Sequence, residues 1–148
     1  MRRVKVNCFF LSIFLVIFID RLSKYFFSTF LFPEQINKGI SFGWLSIFGE
    51  TSVLFYGLFL LGIIIIIKTK QNVSRTIEKI VYGMIVGGGI SNVLDRVFFD
   101  GVRDFLLIPI GLYFNLADCF IVLGAMILIG EYLVQNLRFV KKARIYER

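Results

Sequence analysis

Four apolar runs, residues 5–27, 51–67, 80–97 and 114–134, dominate this chain. Each is close to the ~20 residues that a helix rising 1.5 Å per residue needs to cross a bilayer's hydrocarbon core. The composition agrees: 57% of the 148 residues are hydrophobic, and the mean hydropathy is +0.81. A soluble domain sits nearer about 45–50% apolar. The expected fold class is therefore an all-α integral membrane protein with four transmembrane helices. No Pro/Gly/Ser-rich linker divides the chain, so residues 1–148 read as one membrane-embedded domain.

The basic residues orient the spans. Of the 17, twelve fall in three tracts: Arg2, Arg3 and Lys5; Lys68, Lys70, Arg75 and Lys79; and Arg138, Lys141, Lys142, Arg144 and Arg148. With four crossings all three lie on one side, which the positive-inside rule makes cytoplasmic, together with both termini. Residues 28–50 and 98–113 are left as the outer loops. The net charge of +7 is thus a topology signal rather than a nucleic-acid footprint. The first run begins like a signal peptide, but it meets DRLSK (20–24) instead of a small-residue cleavage site and reads as an uncleaved anchor.

There is no histidine, which excludes His-dependent triads and His-liganded metal sites. Cys8 and Cys119 lie near opposite ends of their spans, too far apart in depth for a disulfide.

Against this apolar background the polar residues gather at one end. Asp20, Asp95, Asp100, Asp104 and Asp118, all five aspartates, fall at the outer face. Asp20 and Lys24 are four apart and can pair on one helix face at the membrane boundary. Asn92-x-x-Asp95 and Asn115-x-x-Asp118 repeat one spacing, each pair sharing a face, and Gly87, Gly88 and Gly89 allow close helix approach just below the first. Arg96 can pair with Asp95 or support a substrate. Asp104 and Asp118 are separated by a stretch long enough to return the chain to the bilayer. Two carboxylates brought together share one proton, giving a base for water and an acid for a carbonyl. On spacing alone, three readings stand side by side: hydrolysis by such a pair, proton or ion translocation, and a structural assembly role. Translocation needs ionisable groups staggered through the bilayer depth.

At these residues the sequence resembles the bacterial lipoprotein signal peptidase family, also called signal peptidase II. DRLSK (20–24) is similar to its Asp-x-x-x-Lys block, and NKGISFGWL (37–45) to its Asn-x-Gly-x-(Ser/Ala)-Phe segment. GGGISNVLDR (87–96) resembles Gly-Gly-x-x-Gly-Asn-x-x-Asp-Arg, VRDF (102–105) resembles Val-x-Asp-Phe, and FNLADCF (114–120) resembles Phe-Asn-x-Ala-Asp-Ser. The five blocks follow in order along nearly the whole chain.

The resemblance implies an aspartyl endopeptidase that removes signal peptides from diacylglyceryl-modified prolipoproteins at the outer face of the bacterial cytoplasmic membrane. It makes Asp104 and Asp118 the catalytic pair. Asn37, Gly39, Asn92, Asp95, Arg96 and Asn115 become substrate-binding or supporting residues, with Asp20 and Lys24 structural. Its fold adds a small β-cradle and a loop helix on the outer face, from residues 36–48 and 98–113. No cofactor or metal is implied, and the expected partners are the lipid-modified substrates and membrane lipids, for a monomer. Two positions depart from the pattern. Ser91 stands where the block has glycine, which bears on helix contact, and Cys119 stands where it has serine. With no histidine to activate it, the Cys119 thiol is not expected to be the nucleophile.

Overall fold

The computed structural model describes residues 7–30, 35–38, 76–109 and 111–146. The expected second span, 51–67, lies outside the described residues, as do Gly39 and most of the first outer loop.

Helix α1 (Cys8–Phe30) starts where the Asn7 side-chain oxygen accepts the Phe9 amide at 3.2 Å, an N-cap that satisfies one of the first turn's free donors. Its buried residues are Ser12, Val16, Asp20 and Lys24, a single row of i, i+4 positions. Such rows are the ridges by which helices pack. Here the ridge carries the small Ser12 and Val16 below and the ionic Asp20 and Lys24 above.

Helix α2 (Thr76–Phe99) is central: its buried residues point in every direction, from Val81, Tyr82, Ile85 and Val86 to Ser91, Asn92, Asp95 and Arg96. Two glycines let it take a helix on either side. A Cβ on Gly87 would stand 3.0 Å from the Ile13 carbonyl oxygen of α1. One on Gly88 would stand 2.6 Å from the Ala117 carbonyl oxygen of the last helix, α3 (Leu116–Tyr146). The small-residue contact expected at this glycine run is present on both faces.

By length and composition, Thr76–Phe99 and Leu116–Gln135 are apolar enough to cross a membrane. The chain is thus mostly helical, and α3 continues well past the expected end of the fourth span.

Two small antiparallel ribbons accompany the helices, one strand before α2 in the chain and three between α2 and α3. Strand β1 (Gln35–Asn37) pairs with β2 (Val102–Asp104), Gln35 opposite Asp104 and Asn37 opposite Val102. Strand β3 (Leu106–Leu107) pairs with β4 (Tyr113–Phe114), and between them the Gly111 amide donates to the Ile108 carbonyl at 2.9 Å. Gly111 sits at φ 82°, a left-handed conformation that glycine adopts without strain. Among the described residues of 98–113 there are strands and turns but no loop helix; residues 39–50 are outside the description.

The core is divided. Toward one end it is Val16, Val81, Tyr82, Ile85 and Val86. Toward the other, the largest fully buried side chains among the described residues are Lys24, Asn92, Asn115, Asp20, Asp95, Asp104 and Ser91. All seven are polar, and burial on that scale demands that each be partnered.

Candidate active site

The partners form two connected networks. In the first, Asp104 stands at the end of β2 and is 1% exposed. Asn37 Nδ2 donates to its Oδ2 at 3.0 Å and Asn115 Nδ2 donates to its Oδ1 at 2.7 Å. The same Asn115 nitrogen donates to Asn92 Oδ1 at 3.1 Å, and Asn92 Nδ2 donates to Asp118 Oδ1 at 2.7 Å. Two carboxylates from separate segments are therefore bridged by two side-chain amides.

The Asn115–Asp118 spacing has a specific local cause. Asn115 is the residue before α3, and its Oδ1 accepts the Asp118 amide at 3.0 Å while Asp118 Oδ2 accepts the Asn115 amide at 3.3 Å. This is a capping box, two free donors at a helix start satisfied reciprocally. The sequence reading placed both residues on one helix face. Instead Phe114 ends β4, Asn115 is the cap, and only Asp118 is helical.

The second network is ionic. Lys24 Nζ lies 2.6 Å from Asp20 Oδ2 and 2.7 Å from Asp95 Oδ2, and none of the three side chains is exposed. Asp95 Oδ1 also takes Arg21 Nη1 at 2.7 Å and Arg103 Nη2 at 2.9 Å. Asp20 Oδ1 accepts the Ala117 amide at 2.9 Å, and Ser91 Oγ donates to Asp20 Oδ2 at 2.6 Å. The expected Asp20–Lys24 pair is present and fully buried, and it joins α1 to α2 through Asp95 and to α3 through the Ala117 amide.

Asn92 and Asp95 thus part company despite their shared spacing: Asn92 belongs to the amide bridge and Asp95 to the ionic network. Arg96 is not the cation on Asp95. Its Nη1 donates to the Asn92 carbonyl at 3.2 Å, one turn back on its own helix. Ser91 closes helix contact with its hydroxyl, and Arg21 Nη2 also donates to the Ser91 carbonyl. Arg21 and Arg103 are the members that sequence reasoning does not single out. A signal existed for Arg103, which alternates with Val102 and Asp104 in strand fashion, but none for Arg21 beyond its place beside Asp20.

The electrostatics follow from the burial. The carboxyl of Asp104, on the strand outside the helices, is pushed up to about 6, chiefly by desolvation. The Asn37 and Asn115 amides pull it back by stabilising the charged form, and the neighbouring Asp118 charge raises it further. Asp118 is half-buried, more open than Asp104. Cys8 and Cys119 are not joined in a disulfide. Among the described residues no group of three or more His, Cys, Asp or Glu side chains is arranged to hold a metal ion.

The model of the family described as signal peptidase (SPase) II matches residues 12–134. A lipoprotein signal peptidase of Moorella thermoacetica is 34% identical over 142 residues, covering 85% of this chain and 93% of that protein. One of Mesorhizobium japonicum is 29% identical over 102 residues, 66% of this chain. The alignment spans 61% of the length of that Mesorhizobium relative. The fold matches a bacterial membrane enzyme solved by the in meso method at 2.3 Å, with a TM-score of 0.71 and 21% identity over 89% of this chain and 91% of that one. The family match covers the residues that carry both networks, from Asp20 on α1 through Asp118 on α3, and the chain belongs to the signal peptidase II family.

Proposed function

We propose that this chain is a membrane-embedded aspartyl endopeptidase that cleaves the signal peptide from diacylglyceryl-modified prolipoproteins at the outer membrane–water interface. The observation that carries the reading is the amide-bridged pair: Asp104 from a strand and Asp118 from a helix start share one hydrogen-bonded network. Asp104, buried and with its carboxyl raised to about 6, is suited to hold the shared proton. Asp118, more open, takes a proton from a water whose oxygen attacks the scissile carbonyl carbon. Asp104 gives its proton to the carbonyl oxygen, forming a tetrahedral diol. Collapse of the diol breaks the C–N bond as Asp118 protonates the leaving amine and the hydroxyl proton returns to Asp104.

The location suits such a substrate. A diacylglyceryl group is held in the bilayer by about 0.8 kcal/mol per buried methylene, so its peptide bond must be met at the membrane surface. We read Asn37, Gly39, Asn92, Asp95, Arg96 and Asn115 as substrate-binding or supporting residues, with Asp20 and Lys24 structural. The same reading makes residues 1–148 one domain with four spans, a small outer β-cradle and both termini cytoplasmic. The enzyme would work as a monomer among the lipids of a bacterial cytoplasmic membrane.

Ion translocation fits less well. Helix α2, the central one, carries no charged residue between Lys79 and Asp95, so it offers no stepwise relay through the membrane depth.

The test is incubation of the purified protein with a diacylglyceryl-modified prolipoprotein and its unmodified form. Cleavage confined to the modified form is expected. Failure to cleave it, by folded protein in bilayer or detergent, refutes the proposal.

A further inference from the structure

We propose that Arg103 is a positioning residue for Asp104, acting through Asp95. The inference rests on the reading of Asp104 and Asp118 as the hydrolytic pair, and it concerns a position that the Val-x-Asp-Phe block leaves open.

Strand β2 is three residues long and pairs with one strand of equal length. A ribbon of that size is not stable by its own hydrogen bonds. What holds it is the residue before Asp104. The Arg103 amide donates to Asp95 Oδ2 at 3.2 Å, while its Nε and Nη2 donate to Asp95 Oδ1 at 3.2 and 2.9 Å. The guanidinium carbon also lies 3.9 Å from the centre of the Phe99 ring. Main chain and side chain of one residue are thus fastened to one carboxylate of α2. Successive strand residues face opposite sides, so fixing Arg103 toward Asp95 presents Asp104 toward Asn37 and Asn115.

The fastening continues beyond Asp95. Lys24 links Asp95 to Asp20, and Asp20 accepts the Ala117 amide. Arg103 directly precedes Asp104, and Ala117 directly precedes Asp118. One ionic ladder therefore ends on the neighbours of both reactive carboxylates and sets the spacing between them. Arginine fits its end of the ladder better than lysine would, because a planar fork both grips the oxygen and stacks on the ring.

The experiment compares Arg103→Gln, Arg103→Lys and Lys38→Gln with the parent protein, using a diacylglyceryl-modified prolipopeptide, thermal unfolding, and infrared titration of the Asp104 carboxyl. Lys38 follows β1 and pairs with Asp100 at 2.6 Å, both side chains exposed. Arg103→Gln is expected to lower kcat by about tenfold or more with KM within about threefold, since small misplacements of a reacting group carry losses up to about 10²-fold. The Asp104 midpoint should move away from about 6. Arg103→Lys should recover little of either. Lys38→Gln, which removes an exposed cation that does not reach Asp95, should keep kcat within about threefold of the parent.

A kcat within twofold of the parent in folded Arg103→Gln would overturn the proposal, as would an equal kcat loss in Lys38→Gln. If Arg103→Gln does not fold, Arg103→Lys decides: unchanged kcat and Asp104 midpoint refute the positioning role. Turnover by Asp104→Asn in the same assay would instead overturn the hydrolytic pair, while the infrared midpoint of Asp104 still reports on Arg103.

Discussion

Asn92 and Asn115 hydrogen-bond to each other at 3.1 Å, and each holds one of two aspartates that lie 14 residues apart in sequence. The two amides fix the orientation of both carboxylates without adding charge beside them. A lysine or arginine in their place would ionise both acids; an apolar pair would leave both without donors.

Replacing either Asp104 or Asp118 by asparagine should lower turnover by roughly 10²–10⁴-fold, the usual scale of general acid–base catalysis. The double variant should be little worse than either single one, because the pair works as a unit. Asp20→Asn and Asp95→Asn should act differently. Breaking a buried ion pair costs about 3–5 kcal/mol, so these variants should show lowered thermal stability with measurable turnover in the fraction that folds. Steady-state kinetics beside thermal melts separate the two classes.

The pH dependence follows from Asp104. Its folded-state carboxyl lies near 6, above the ordinary carboxylate range. Stability from keeping that carboxyl protonated is present below about pH 4 and is lost as the pH rises through about 6. Asp104→Asn, neutral throughout, should lack this loss, so its melting temperature should gain on the parent's between pH 4 and 7. Asp118→Asn removes the neighbouring negative charge and should lower the Asp104 midpoint, read by infrared titration. An unchanged midpoint would show that the two carboxylates do not interact.

Asn115→Ala tests the shared amide. Loss of an N-cap costs about 0.5–2 kcal/mol. Because Asp104 Oδ1 and Asn92 Oδ1 lose the same donor, turnover should fall well beyond what that destabilisation explains. Thermal melts and kcat measured on one preparation would reveal the excess.

Gly88→Ala places a methyl 2.6 Å from the Ala117 carbonyl oxygen, a backbone atom that cannot swing aside. It should push α3 away and lower both stability and turnover sharply. Gly130→Ala, on the same α3 with nothing within 4 Å of the added carbon, should be neutral. Equal behaviour of the two in a thermal melt would count against the close α2–α3 contact.

Cys119→Ser should leave turnover within a few-fold, since no histidine is present to activate a thiol. Complete loss of cleavage with normal folding would point to the thiol instead of the carboxylates.

Much of this arrangement is legible in the sequence, because charge is expensive in lipid and its placement is therefore informative. The gathering of Asp20, Asp95, Asp104 and Asp118 near one end, and the small-residue approach at Gly87 and Gly88, can be read before any coordinates. The division of labour cannot. Residues three apart on a helix differ by about 60° in direction, enough to turn Asn92 to the amide bridge and Asp95 to the cations of α1 and β2. The same spacing at 115–118 became a cap, because β4 runs to Phe114 and leaves Asn115 just outside the helix. Arg21 and Arg103 escaped notice since long side chains reach partners that no periodicity specifies.

The 2.9 Å bond from the Ala117 amide to Asp20 joins residues 97 positions apart. It has a consequence for a chain made from its N-terminus onward. While α1 and α2 are already together, the Asp20 carboxylate still lacks the helix start it caps, and Asp118 has not yet been synthesised. On the proposed reading, the reacting pair is therefore complete only once the last helix has closed the bundle.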